Sequence, residues 1–176
     1  MDVVDIALRL VGAFYVFAGV VAARATLTGM LIDRAIAAIG AKPPPRAETM
    51  RGLWMIAMTA LVLLGGAALV LKLELALPLF LACVLFQAVY LFVVAPRVLD
   101  PHDAPDPQGR RQSTNAFIIY AIATGFVAWA YGRGNLLRLS EVSWPGLLLV
   151  GGLVAAQLGY VGDQLVTIMR KKGLAG

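Results

Sequence analysis

Five long apolar blocks, separated by short charged or proline-rich connections, occupy most of this chain of 176 residues. Hydrophobic residues make up 60% of the sequence and charged residues only 14%. A soluble domain of this size does not have a core large enough to bury so much apolar surface. The pattern therefore predicts an all-α fold, a polytopic bundle of transmembrane helices.

The lengths of the blocks set the number of spans, because a helix needs about 20 apolar residues to cross a hydrocarbon core about 30 Å thick. Five segments meet this requirement, at 6–28, 52–71, 75–95, 115–131 and 144–168. A single helix from 52 to 95 would be about 66 Å long, more than twice the thickness of the core. We therefore expect the chain to reverse its direction at Lys72-Leu73-Glu74.

Two longer connections, 29–51 and 96–114, are predicted on one side of a single transmembrane domain that covers 1–176. An apolar helical period continues after the first span as far as Gly40, so this helix is expected to project beyond the membrane. The second connection is expected to be a solvated linker, with Ser113 or Thr114 capping the fourth helix. Its length and charge also make it the expected docking surface for a cytoplasmic partner.

Basic residues are distributed unequally between the two predicted sides. The richer side holds ten, which are Arg34, Lys42, Arg46, Arg51, Arg97, Arg110, Arg111, Arg170, Lys171 and Lys172, and the other holds Arg9, Lys72, Arg133 and Arg138. Because short cytoplasmic loops carry an excess of Lys and Arg, we predict an outside N-terminus, a cytoplasmic C-terminus and a bacterial inner membrane. The net charge of +5 then reflects topology and contact with anionic lipids rather than nucleic-acid binding.

Small residues recur at intervals of four in several spans, which is typical of close contact between membrane helices. The clearest series is Gly151, Ala155 and Gly159 in the fifth span. We therefore predict a compact bundle with the fifth helix near its centre. The same faces favour association with other membrane subunits or with copies of this chain.

Polar side chains inside the spans are costly in lipid and usually face the interior of a bundle. The candidates lie in the third and fifth spans and are Gln87, Tyr90, Gln157, Tyr160, Asp163 and Gln164. They either line a polar cavity or proton site, or form hydrogen bonds that join helices. A shared Gln-x-x-Tyr motif in these two spans adds the hypothesis that two hairpins are parallel copies of one unit, as in some transporters.

Arg24 and Asp163 each lie about one turn before the cytoplasmic end of a span, on helices that cross in the same direction. An ion pair between them would reduce the cost of placing both charges at that depth. In the alternative, Arg24 reaches a lipid phosphate while Asp163 reaches water or Arg170. A hydrated pair would make Asp163 the best candidate for a proton carrier.

One connection contains residue types that ligate divalent metals, namely Asp100, His102, Asp103 and Asp106. Its prolines keep the segment extended, and no second histidine or cysteine completes a tight site, so we expect a linker without a metal. Cys83 is the only cysteine, which excludes an internal disulfide and a two-thiol mechanism. We expect no cofactor.

Groups for catalysis are sparse, because no histidine lies in a span to serve as a base and only Asp163 is a plausible buried carboxylate. The leading hypothesis is a non-catalytic structural, assembly or accessory subunit. The first alternative is a small transporter or channel with the polar cavity described above. A further alternative is an enzyme that acts on lipid through the interfacial residues Asp33, Arg46, Glu48 or Asp100.

Overall fold

The computed structural model describes residues 2–40, 46–99 and 107–170, and regular structure in these ranges is helical, without strands. The five α-helices are α1 (Val3–Ile39), α2 (Arg46–Val70), α3 (Ala76–Val89), α4 (Pro107–Gly132) and α5 (Trp144–Arg170). A π-helical segment, Tyr90–Leu99, extends α3, and a short 3-10 turn, Leu139–Glu141, precedes α5.

Within these ranges, five helices are long and apolar enough to cross a membrane. They are Val3–Ala37, Glu48–Val70, Ala76–Arg97, Gln108–Gly132 and Trp144–Met169. The finding confirms the all-α fold and the number of candidate spans, and it indicates a multi-pass membrane protein.

The predicted connection 96–114 contains more helix than expected. Helical structure continues to Leu99 and begins again at Pro107, so only the residues between them, which lie outside the described ranges, separate the two helices. Ser113 and Thr114 do not cap α4. Their hydroxyls donate instead to the backbone carbonyls four residues earlier, at 3.0 Å in both cases. The helix starts at proline because this residue has no N–H to leave unpaired in a first turn.

The predicted connection 29–51 is also largely helical. α1 continues to Ile39, as its apolar period predicted, and α2 begins at Arg46. α1 has 37 residues and is therefore about 55 Å long, well over the thickness of a hydrocarbon core. Its last turns project beyond the membrane if its first turn lies at the opposite surface.

Helices α1 to α4 surround one hydrophobic core. α1 packs along α2, α2 along α3 and α3 along α4, while α4 also contacts α1. The buried core residues are Leu8, Tyr15, Ala68, Leu69, Leu73, Ala76, Phe80, Cys83, Tyr120, Val127, Ala130 and Leu136. Phe80 is fully buried, and its ring centroid lies 5.4 Å from that of Tyr15 and 5.0 Å from that of Tyr120.

Two glycines allow the backbones of α1 and α2 to approach closely. A Cβ atom on Gly12 would lie 2.6 Å from the backbone nitrogen of Val70, and one on Gly66 would lie 2.7 Å from that of Val16. No side chain fits at either position without a shift of backbone. Close approach of this kind is what small residues provide between membrane helices, and α1 with α2 forms the most extensive helix pair.

The turn between α2 and α3 joins three parts of the molecule at one end of the bundle. Lys72 has a φ of 58°, which reverses the chain at the predicted position. Its ammonium group pairs with the carboxylate of Asp5 in α1. The N–H of Glu74 donates to the carbonyl of Leu137 at 2.9 Å, and the N–H of Leu137 donates to the carbonyl of Lys72 at 2.6 Å. The turn is thus joined to both α1 and the connection that follows α4.

α5 lies outside the four-helix core, which corrects the prediction of a central fifth helix. It contacts α1 and α2 through a small cluster of buried residues, Ala23, Leu27, Val161 and Ile168. It shares too few contacts with α4 to form a packed hairpin like α2 and α3, so two copies of one hairpin are not formed. A series of small residues predicts close packing against another helix, but it does not determine whether that helix belongs to the same chain.

Candidate functional site

Gln157 lines a small cavity between α1, α2 and α5. The lining residues are Gly19, Ala23, Ile56, Thr59, Ala60, Leu63, Gln157, Leu158 and Val161. The cavity volume open to water is about 10 Å³, which is near the lower limit for holding one water molecule. The Nε2 atom of Gln157 is buried and has no hydrogen-bond partner among the described residues. The hydroxyl of Thr59 donates to the carbonyl of Ile56 at 2.8 Å. The cavity is therefore mostly apolar, with one unpaired amide donor.

Gln87 and Tyr90 lie in a different part of the bundle, where α3 passes into its π-helical extension. The indole of Trp54 in α2 stacks on Phe86 with ring centroids 4.1 Å apart, and its centroid lies 6.0 Å from that of Tyr90. Tyr90 is buried. The Oε1 atom of Gln87 and the Nε1 atom of Trp54 are both buried, and neither has a hydrogen-bond partner in the part of the chain that the structure describes.

The structure does not bring the predicted polar residues together in one cavity. α2 contacts both α3 and α5, and the cavity at Gln157 is lined without Gln87 or Tyr90. Tyr160 is 47% exposed, Asp163 is exposed and Gln164 is half-buried. The two glutamines therefore lie in separate interfaces on either side of α2.

Arg24 and Asp163 do not form the predicted ion pair. Both side chains are exposed, and the ion pair in the described ranges joins Asp5 and Lys72. α1 and α5 do meet at this depth, but they meet through apolar residues, including Leu27 and Val161. The side chain of Arg24 is long enough to extend from this surface toward the headgroups, about one turn away.

An aromatic and thiol group in the four-helix core was not anticipated from the sequence. Tyr15, Phe80 and Tyr120 pack ring against ring, and Cys83 is fully buried beside Tyr120. The hydroxyl of Tyr120 has no nitrogen or oxygen partner in the described part of the chain. The sequence signal was that three aromatic residues and the cysteine recur at matching depths on α1, α3 and α4. Its burial makes this group a packing element rather than an accessible site.

A shallow polar cleft lies where α1 and α2 meet at the end of the bundle opposite Lys72. It is lined by Met30, Asp33, Arg34, Glu48 and Thr49. Two of the interfacial acids that the lipid-enzyme hypothesis uses thus share one cleft. Among the described residues, no group of three metal-ligating side chains occurs. The loop residues Asp100, His102, Asp103 and Asp106 lie outside the described ranges.

α5 presents an unpartnered face of small residues. A Cβ atom on Gly151, Gly152, Gly159 or Gly162 would meet nothing within 4 Å outside its own helix and chain neighbours. The alanines between these glycines, Ala155 and Ala156, are also exposed. The predicted small-residue series therefore lies on the outer surface of the bundle, where a helix from outside the described structure has room to approach.

No family model, curated protein or solved structure matched the chain. The function is therefore inferred from the faces, charges and cavities of the molecule itself.

Proposed function

We propose that this chain is a non-catalytic assembly subunit of a membrane complex, and that α5 supplies its contact face. The observation that carries the proposal is the exposed small-residue surface around Gly151, Ala155 and Gly159. Lipid tails are as apolar as leucine, so contact with lipid alone does not require small side chains. Close contact with another helix does require them, because only small residues let two backbones approach.

The partner that fits this face most simply is a second copy of the chain. A two-fold axis along the membrane normal would place α5 of each copy against α5 of the other, so that the same face serves both. The series with a period of four is suited to such a self-complementary contact. α5 has few contacts within its own chain, so this contact would add to its packing without breaking an existing one.

Cysteine cross-linking in native membranes tests the arrangement directly. On a Cys83→Ala background, Gly151→Cys, Ala155→Cys and Gly159→Cys are each expected to give an oxidised dimer of the full chain. Leu149→Cys, also on α5 and exposed, is the control for random collision and is expected to give little dimer. Equal cross-linking at all four positions would contradict a specific α5 contact.

A bulky substitution provides the complementary test. Gly159→Leu fills the face and is expected to convert the dimer to a monomer when mass is measured by light scattering in mild detergent. Gly125→Leu makes the same change at a position on α4 that is equally open, and it is expected to leave the dimer unchanged. A chain that is monomeric before any substitution, and gives no cross-link in membranes, would refute a homodimer.

The membrane and the orientation are part of the proposal. A bacterial inner membrane, with the N-terminus outside and the C-terminus in the cytoplasm, is supported by the unequal distribution of Lys and Arg described above. Labelling of Asp2→Cys and Glu48→Cys from each side of intact cells would distinguish this orientation from its reverse.

The transporter alternative is favoured by one observation, the unpaired amide of Gln157 beside a cavity that is close to the size of a water molecule. On the Cys83→Ala background, cysteines at positions 157, 160 and 164 would react with aqueous maleimide if water entered along this face. We expect position 157 to be protected, because the cavity holds about one water molecule at most.

A further inference from the structure

One end of the bundle provides a common reference level for the helices. Asp5 near the start of α1 pairs with Lys72 in the turn after α2, and this turn is hydrogen-bonded to Leu137 in the connection between α4 and α5. α3 begins directly after the turn, at Ala76. Five helices therefore begin or end near one level.

Counting about 20 residues along each core helix from that level leads to an arginine in every case, at a distance of about 30 Å. The four are Arg24 in α1, Arg51 in α2, Arg97 in the π-helical extension of α3, and Arg111 in α4. We call these four residues the arginine layer. The same count along α5 leads to an acidic residue, Asp163.

Contacts between the helices relate these positions. A Cβ atom on Gly52, next to Arg51, would lie 2.8 Å from the sulfur of Met30. Met30 is six residues past Arg24, so Arg51 lies about 9 Å further from the Asp5–Lys72 end than Arg24, which extends from just inside this level. Trp54 in α2 stacks on Phe86 and lies near Tyr90, so the end of α3 runs beside the start of α2. The rings of Phe92 and Phe117 lie 6.1 Å apart and bring the start of α4 to the same end.

All four side chains of the arginine layer are exposed, and none forms an ion pair with a residue in the described ranges. The acidic residues near this end in the described ranges are Asp33, Glu48 and Asp163. The opposite end balances its four basic residues with four acidic ones, Asp2, Asp5, Glu74 and Glu141, so the net positive charge lies on the side of the arginine layer.

We propose that the arginine layer binds the phosphate groups of anionic phospholipids around the bundle. A level about 30 Å from the Asp5–Lys72 end is the level of the second headgroup region when that end lies in the first. The guanidinium group donates two parallel hydrogen bonds to a phosphate and stays charged, so it is suited to this ligand. A separate arginine on each core helix would distribute bound lipids around the bundle rather than in one pocket.

The proposal can be tested with the full chain in neutral detergent micelles. Phosphatidylglycerol is added at increasing mole fraction, with phosphatidylcholine as the zwitterionic comparison, and the unfolding temperature is recorded. We expect phosphatidylglycerol to raise this temperature more than phosphatidylcholine does. In the triple variant Arg51→Gln/Arg97→Gln/Arg111→Gln, half-maximal stabilisation should require more phosphatidylglycerol, by about fivefold per arginine and on the order of a hundredfold in total.

The matched control is Arg9→Gln/Arg133→Gln/Arg138→Gln, which removes three exposed arginines at the opposite end. It changes the net charge equally and is expected to stay within about twofold of the original chain. If both triple variants require equally more phosphatidylglycerol for half-maximal stabilisation, the effect is due to net charge alone and the proposal is overturned. It is also overturned if the two lipids stabilise the original chain equally. If the first variant does not fold, the three single substitutions are compared instead, each with the same fivefold expectation.

Discussion

The four-helix core and α5 have similarly apolar sequences but are packed in different ways. In the core, residues such as Phe80 and Leu69 are fully buried, and α1 and α2 touch backbone to backbone at Gly12 and Gly66. In α5, glycines of the same kind face open space. Small residues thus have two roles in one chain. Some allow core helices to pack closely, and others lie on the outer surface, where they can contact another helix.

The difference shows that hydropathy and small-residue spacing are not enough to locate a helix in a bundle. α5 has the clearest series of small residues and the least burial of the candidate spans. Stability should therefore depend strongly on the core and weakly on the outer face of α5. Under the proposal above, dimer formation should depend strongly on the outer face of α5 and weakly on the core.

The largest loss of stability is expected from Phe80→Ala. The ring is fully buried between Tyr15 and Tyr120, so its removal leaves a cavity that the surrounding helices cannot close, at a cost of about 3–5 kcal/mol. The free energy of unfolding is measured by circular dichroism during titration with sodium dodecyl sulfate in mixed micelles. Phe17→Ala, at a ring that is 69% exposed, is the control and should cost less than about 0.5 kcal/mol. Similar losses for both would contradict a single core.

A smaller loss is expected when a methyl group is placed between α1 and α2. The Cβ atom of Gly66→Ala would lie within 3 Å of backbone atoms of α1, so the helices must separate, at a cost of about 1–3 kcal/mol. Gly159→Ala makes the same change in open space on α5 and should change the free energy of unfolding by less than about 0.5 kcal/mol. The comparison between core and α5 fails if the two variants lose the same stability.

The ion pair at the Lys72 end should contribute less than the core. Asp5→Asn removes a partly exposed charge from Lys72, and because solvent screens a partly exposed pair, the loss should be smaller than that of Gly66→Ala. A double-mutant cycle with Lys72→Met isolates the pair, because the second substitution should cost little once the first is present. A coupling energy near zero would mean that the backbone hydrogen bonds of Glu74 and Leu137 hold this turn without help from the ion pair.

The fold was largely predictable because span length and turn chemistry act locally. The apolar blocks, the reversal at Lys72 and the extension of α1 all follow from residues close in sequence. The start of α4 was misplaced because Ser113 and Thr114 are good caps, yet their hydroxyls bond to carbonyls of the preceding turn when the helix continues upstream.

The candidate site was less predictable because it depends on which helices are neighbours. Counting along their spans places Gln87 and Gln157 at similar depths in the membrane. Their helices, however, both pack against α2, and the two residues lie in separate interfaces. The depth of a residue along a helix can be counted from the sequence. The direction in which that residue faces, and the helices beside it, result from packing across the whole bundle. The same limit explains why Arg24 and Asp163 share a depth without sharing a contact.

The smallest effect is expected at the buried polar atom of α5. Gln157→Leu removes an amide donor that has no partner, so the free energy of unfolding should rise by about 0.5–1 kcal/mol instead of falling. The half-buried Gln164→Leu is the control and should be close to neutral, because Gln164 has no buried unpaired atom in the structure. A loss of stability in Gln157→Leu would mean that the amide is satisfied by water in the cavity. The interface between α5 and the core would then be hydrated rather than dry, and this would support the transporter alternative, whereas the assembly proposal depends on the outer face of α5.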